Sequence, residues 1–197
     1  MAPDDLADAA REMRGGGVVI IPTDTVYGLA AAADHTAAVE AMFALKHRPV
    51  DVKIAVLVAD IDQARNFVDL GPVGEALAAR YWPGPLTIVA PRHVPGSLAA
   101  GDDETLGVRC PDDAVARALA AEVGPIAATS ANLHGGDTPA RAAEVAELFP
   151  DIRVVLDDGP RPGAASTVVS VLETPPVVLR PGPVSAADIE AIAGLDS

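Results

Sequence analysis

Short β-branched runs alternate with alanine-rich stretches along this chain, the pattern of strands and helices taking turns in an α/β sheet domain. The apolar runs predict strands over 18–21, 54–58, 86–90, 105–109, 125–128, 153–156, 167–172 and 177–179. A helix is predicted over 6–14, ended by Gly15-Gly16-Gly17, because glycine takes the left-handed backbone that closes helices. A second is predicted over 36–46 behind an Asp34 cap, with Val39, Met42 and Phe43 as its apolar stripe. Asp60 and Gln63 have capping-box spacing, Thr138-Pro139 reads as a cap followed by a first-turn proline, and Ser185 with Asp188 starts the last helix. The strands near 153, 167 and 177 follow one another too closely for intervening helices, so the sheet is expected to be mixed. No linker, repeat or long low-complexity segment is visible, and 1–197 reads as one domain, a mixed sheet flanked by helices.

Composition narrows the picture. Half of the residues are hydrophobic but only 3% are aromatic, so the core has to be built from Ala, Val, Leu and Ile. The net charge of −14 opposes non-specific attraction to phosphate backbones, so direct tRNA binding is expected to be weak or absent. The two lysines, Lys46 and Lys53, both lie in KHRPVDVK beside Arg48, one positive spot on an acidic chain. A single cysteine, Cys110, excludes an intramolecular disulfide and any multi-cysteine zinc site, and it reads as a small buried thiol. No segment approaches the ~20 apolar residues of a membrane span, and the expectation is a soluble cytoplasmic protein.

Candidate chemistry sits where polar groups adjoin apolar runs. Neither a P-loop nor a dinucleotide fingerprint is present, since Gly15-Gly16-Gly17 precedes a strand and opens no helix. Four clusters remain: PTDTVYGL with Thr25 and Tyr27, TLGVRCP with Thr105 and Arg109, IAATSAN with Ser130 and Asn132, and STVVSV to VLRPG with Ser166 and Arg180. At the strand ends of an α/β sheet such groups can converge on one edge, and the set suits an anionic substrate. Each also has a plainer reading. Thr23, Asp24 and Thr25 read equally as a turn, Ser130 and Asn132 read more readily as a turn than as a site, the arginines as ion-pair partners, and Lys46 with Arg48 as complements of a helix dipole. Trp82 reads as a packing anchor, and the acidic pairs as loop and cap residues.

Taken in order, PTDTVYGL, Lys46-His47-Arg48-Pro49, WPGPLT, GVRCP, TSAN, STVV and LRPG resemble the YrdC/Sua5 family of threonylcarbamoyl-AMP synthases over about residues 15–183. The resemblance implies a twisted α/β domain with a large basic-lined cleft. It implies synthesis of L-threonylcarbamoyladenylate and pyrophosphate from L-threonine, bicarbonate and ATP, for N6-threonylcarbamoyladenosine in tRNA, through a partner transferase. Carried onto this chain, it gives Thr25, Tyr27, Arg109, Ser130 and Ser166 to threonine, and Lys46, Arg48, Thr105, Asn132 and Arg180 to ATP. No protein nucleophile is implied, and Mg²⁺ would travel on the ATP phosphates without a dedicated protein site. The chain departs from the family pattern at Val52, Leu57 and Ala140. The other readings are an RNA-binding or ribosome-associated module of the same fold, and a carbamoyl-transfer enzyme with another acceptor.

Overall fold

In the computed structural model, which describes residues 3–46, 53–95, 98–133 and 135–194, the strands join one mixed sheet. They are β1 (Val19–Ile21), β2 (Gly28–Ala32), β3 (Ala55–Leu57), β4 (Leu86–Pro91), β5 (Thr105–Arg109), β6 (Ile126–Ser130), β7 (Thr167–Ser170) and β8 (Val177–Arg180). The helices are α1 (Pro3–Arg14), α2 (Thr36–Leu45), α3 (Ile61–Arg65), α4 (Gly71–Tyr81), α5 (Ala114–Val123), α6 (Ala142–Leu148) and α7 (Ala186–Ala193). The spatial order is β1-β2-β6-β3-β5-β4-β7-β8. β3 runs parallel to β5 and β4 to β7, while the other neighbours are antiparallel. No helix of the described residues is long and apolar enough to cross a membrane.

Strand alternation separates two apolar layers. Val19, Ile21, Ala30, Leu57 and Ile126 pack with Ala9, Ala10 and Met13 of α1 and Val115, Ala116 and Leu119 of α5. Ile20, Leu29, Ala31, Val56, Ile88 and Val108 form the other layer, with Val39 and Met42 of α2, Leu77 of α4 and Ile189 of α7. α1 and α5 touch each other and cover the β1, β2, β6 and β3 end of their face. The register then dictates what is left on that face. Leu57 pairs with Arg109, Gly107 with Val89, Thr87 with Val168, and Val168 with Arg180, so these residues share it. There the floor holds the small residues Gly28, Ala55, Gly107 and Ala128, and a cleft opens.

Several local expectations change. The run 153–156 forms no strand: it meets the sheet through one parallel bridge, Val155 to Ile20, with Ile20 N–H donating to Val154 O (3.0 Å) and Leu156 N–H to Ile20 O (2.9 Å). α2 is capped at His35, not Asp34, and without a side-chain hydrogen bond. α6 begins at Ala142 behind Arg141, three residues past the expected Thr138-Pro139 start. Other signals act as read. Asp60 accepts from Gln63 N–H (2.8 Å) and Ser185 from Asp188 N–H (3.1 Å). Gly16 sits at φ 81°, where Gly16 N–H reaches Met13 O (3.0 Å) and Gly17 N–H reaches Glu12 O (2.8 Å) to close α1.

Candidate active-site cleft

A cleft of about 770 Å³ occupies the half of the sheet face that α1 and α5 leave uncovered. Its wall begins where β1 stops at Pro22 and the chain turns. Thr23 builds that turn: its hydroxyl donates to Val26 O (2.6 Å) and accepts from the N–H groups of Thr25 and Val26 (both 3.2 Å). The turn presents Thr25 to Arg109 at the end of β5. Arg109 Nη1 donates to Thr25 Oγ1 (3.1 Å), Nη2 to Asp24 Oδ1 (2.5 Å) and Nε to Gly84 O (3.0 Å). The side chains of Arg109 and Asp24 are only 6% and 13% exposed. Burial lowers the guanidinium pKa from its ordinary value, and the charge and hydrogen bond of Asp24 oppose that shift. Three of the five N–H groups of Arg109 are therefore committed to protein acceptors.

The opposite wall comes from β4, β7 and β8. Ser166 Oγ lies 2.9 Å from Thr87 Oγ1, and both are buried. Arg180 Nη2 donates to Ser166 Oγ (3.1 Å) and to Ser166 O (2.8 Å), with Nε on the same carbonyl (3.1 Å). At the rim, Lys53 pairs with Asp102 and lies 3.4 Å from Thr105 Oγ1. Asp102 also accepts from the N–H groups of Glu104 (2.9 Å) and Thr105 (2.6 Å), and its carboxyl is held well below the ordinary range, first by Lys53. Among the described residues, the lining thus brings together Lys53, Arg109 and Arg180 with one acid, Glu173, among hydroxyls and a small apolar floor.

Residues 11–182 match the Sua5/YciO/YrdC family, described as telomere recombination. The chain belongs to this family. It is 41% identical over 196 residues to the threonylcarbamoyl-AMP synthase of Bacillus subtilis, a match covering 96% of this chain and 56% of that protein. It is similar to the solved structure of Pyrococcus abyssi Sua5 complexed with L-threonine, with 40% identity and a TM-score of 0.88 over 96% of this chain and 57% of that one. The chain therefore spans little more than half the length of these two relatives. Escherichia coli YciO, 24% identical with a TM-score of 0.83, shares the fold.

The motifs that signal the YrdC/Sua5 family distribute unequally around the cleft. Thr25, Thr105, Arg109, Ser130, Ser166 and Arg180 all line it, and so does Leu57, one of the departures from the family pattern. Arg48 and Val52 lie outside the described residues. Tyr27 contributes to the lining, but its ring is fully buried and its hydroxyl points to another task, donating to Gly159 O (2.7 Å) and accepting from Asp158 N–H (3.3 Å). Lys46 is 2% exposed at the C-terminus of α2, where its ammonium donates to Ser130 O and to Asn132 Oδ1 (2.9 Å). Asn132 Oδ1 also accepts from Ser130 Oγ (2.6 Å), and Nδ2 donates to Leu133 O (3.0 Å) and Gly136 O (2.5 Å). The Asn132 amide is thereby engaged at both ends, and Lys46 and Asn132 are joined to Ser130 of the cleft lining.

Thr23, read in the sequence with the PTDTVYGL turn, and Thr87, which the sequence reading does not single out, both line the cleft. Thr87 had a legible signal, since two-residue alternation puts it on the same face as Val89. Cys110 is buried, with Sγ 3.4 Å from Ala59 O, and burial pushes its thiol up to about 11. The native protein is accordingly expected to resist a disulfide-exchange reagent at pH 8 and to react fully once unfolded in urea. Rapid labelling of the folded protein would contradict that placement. Trp82 Nε1 donates to Leu86 O (2.7 Å) as its ring packs on the core, a structural anchor at the start of β4.

Proposed function

We propose that this chain is an L-threonylcarbamoyladenylate synthase, a nucleotidyltransferase that uses L-threonine, bicarbonate and ATP and releases pyrophosphate. The observation that carries the reading is the convergence of Thr25, Arg109, Ser166 and Arg180 on one cleft, in a chain 40% identical to a Sua5 complexed with L-threonine. The threonine amine adds to CO₂ released from bicarbonate, giving a carbamate and a proton. A carbamate oxygen then attacks the α-phosphorus of ATP, and the bond to the β-phosphate bridging oxygen breaks as pyrophosphate leaves.

This reaction asks the protein for placement and charge stabilisation, and holding reactants together can supply roughly 7–11 kcal/mol of the barrier. Thr25, Arg109, Ser130 and Ser166 are assigned to threonine, with the uncommitted edge of Arg109 facing its carboxylate. Arg180, Thr105 and the Lys46–Asn132 pair are assigned to the ATP side, with Arg48. Because Arg180 already grips Ser166, the two substrate sets meet at that residue. Mg²⁺ would enter with ATP and supply charge neutralisation of its phosphates. The ion would be held chiefly by those phosphates, so no dedicated protein site is assigned to it. The product would pass in the cytoplasm to a transferase that modifies tRNA.

Incubating the protein with ATP, bicarbonate and labelled threonine tests this. Pyrophosphate should appear only when all three are present; release without threonine, or none with all three and Mg²⁺, would refute the assignment. In the same assay Thr25→Ala should raise the threonine KM about tenfold, the worth of one hydrogen bond of ~1.4 kcal/mol, and leave the ATP KM within about twofold. Equal rises in both would return Thr25 to a structural role.

A further inference from the structure

We infer that Arg161 is a positioning residue for the threonine pocket, acting through Thr23 on the hydroxyl of Thr25; this rests on the function proposed above. The segment 157–163 lies against residues 23–27 and is fixed to them at three points. Tyr27 Oη donates to Gly159 O (2.7 Å). Gly163 sits so close to the turn that a Cβ on it would come within 2.4 Å of Thr25 O. Between them, Arg161 Nε donates to Thr23 O (2.9 Å).

The far end of the same guanidinium reaches a rigid element. Nη1 donates to Asp158 O (2.6 Å), and Nη2 donates to Asp158 Oδ2 (2.7 Å) and Asp113 Oδ2 (3.3 Å). Asp113 is buried, and its other oxygen caps α5 by accepting from the N–H groups of Val115 and Ala116 (both 3.0 Å). Arg161 therefore ties the backbone of the turn to the N-terminus of α5. A planar guanidinium can satisfy these divergent acceptors at once, which a point charge cannot.

What is held in place is the position of one hydroxyl. Thr23 has a single hydroxyl proton, and at 2.6 Å it goes to Val26 O, while its two lone pairs take the N–H groups of Thr25 and Val26. Thr25 Oγ1 stands 3.0 Å from that oxygen and accepts from Arg109 Nη1 at 3.1 Å, so Thr23 and Arg109 fix it from two sides where it lines the cleft. Turning the peptide after Thr23 would break the Thr25 N–H bond to Thr23 Oγ1 and displace Thr25 Oγ1. Arg161 opposes this by holding the carbonyl of that peptide.

The test uses the full chain with Arg161→Met and Arg161→Lys. Kinetic constants, thermal midpoint and amide hydrogen exchange are read together. Arg161→Met should raise the threonine KM about tenfold with the ATP KM within about twofold, since it disturbs one pocket wall only. The amides of Thr25 and Val26 should lose protection while those of α4 keep theirs. Arg161→Lys should recover part of both effects, because an ammonium can reach Thr23 O or Asp158 but not the whole set. A lowered thermal midpoint with both KM values unchanged, parallel rises in both, or unaltered protection at Thr25 and Val26 would overturn the inference. If the wild-type chain released no pyrophosphate with all three substrates, the proposed function would fall, and the exchange measurement alone would decide the coupling.

Discussion

Replacing Arg109 by methionine is expected to remove threonine-dependent turnover and to cost about 3–5 kcal/mol of folding stability, the range for breaking a buried ion pair from one side. The side chains of Arg109 and Asp24 are almost wholly out of water, so the loss strands a carboxylate that has little solvent to turn to. It also removes the donors to Thr25 Oγ1 and Gly84 O. Arg109→Lys should fall between the two, since one ammonium replaces the charge but not the three divergent bonds. The double variant Arg109→Met with Asp24→Asn separates the roles. It should regain a large part of the stability in urea unfolding and none of the turnover. A double variant as unstable as the single one would show that the ion pair is not the source of the loss.

The second large effect is expected at Gly182, just beyond β8. A Cβ there would lie 2.4 Å from Thr167 N, 2.6 Å from Ala165 O and 2.7 Å from Ser166 C, all backbone atoms. Thr167 N–H is already bonded to Pro85 O (3.0 Å), so this strand start cannot retreat without breaking a sheet contact. Gly182→Ala is expected to cost about 3 kcal/mol, the upper part of the overpacking range. For a chain of this size that lowers the thermal midpoint by roughly 6–12 °C. Ser166 would move with the backbone, so its contacts to Thr87 and Arg180 should loosen and substrate use should fall as well. An unchanged melting curve in Gly182→Ala would mean the close approach is not real.

Much of this site was legible because one face of a strand is written at every second position. In Thr105-Leu106-Gly107-Val108-Arg109, the polar or small residues share a face and the apolar ones the other, and the fold keeps both sets where the alternation puts them. What stayed hidden has physical causes. β2 is Gly28-Leu29-Ala30-Ala31-Ala32, buried on both faces between β1 and β6, and its alanines carry helix propensity and no alternation; tertiary pairing overrides them. The run 153–156 has strand-like residues but settles as a single bridge beside Ile20. Lys46 and Asn132 are polar residues at element ends, where bracing a turn and touching a ligand look alike in sequence; only the fold shows that the two side chains meet each other. Arg161 lies in a proline- and glycine-rich loop, where nothing local announces that two distant segments meet on its side chain.

The two ends of the sheet are finished differently, and the cleft inherits the difference. Beside β1, residues 154–156 run along the margin and take up its backbone groups. β8 ends the sheet on the other side, with Leu179 58% exposed and an irregular register to β7 between Val168 and Val169. Outer strands are the least stabilised part of a sheet and separate first when a protein is warmed or mildly denatured. Arg109, on one side of the cleft, stands on β5 in the interior of the sheet, whereas the wall with Arg180 is hung from its outer margin. A molecule that has begun to soften will therefore keep its grip on one side of the cleft after the other has swung away, so loss of binding should precede loss of fold.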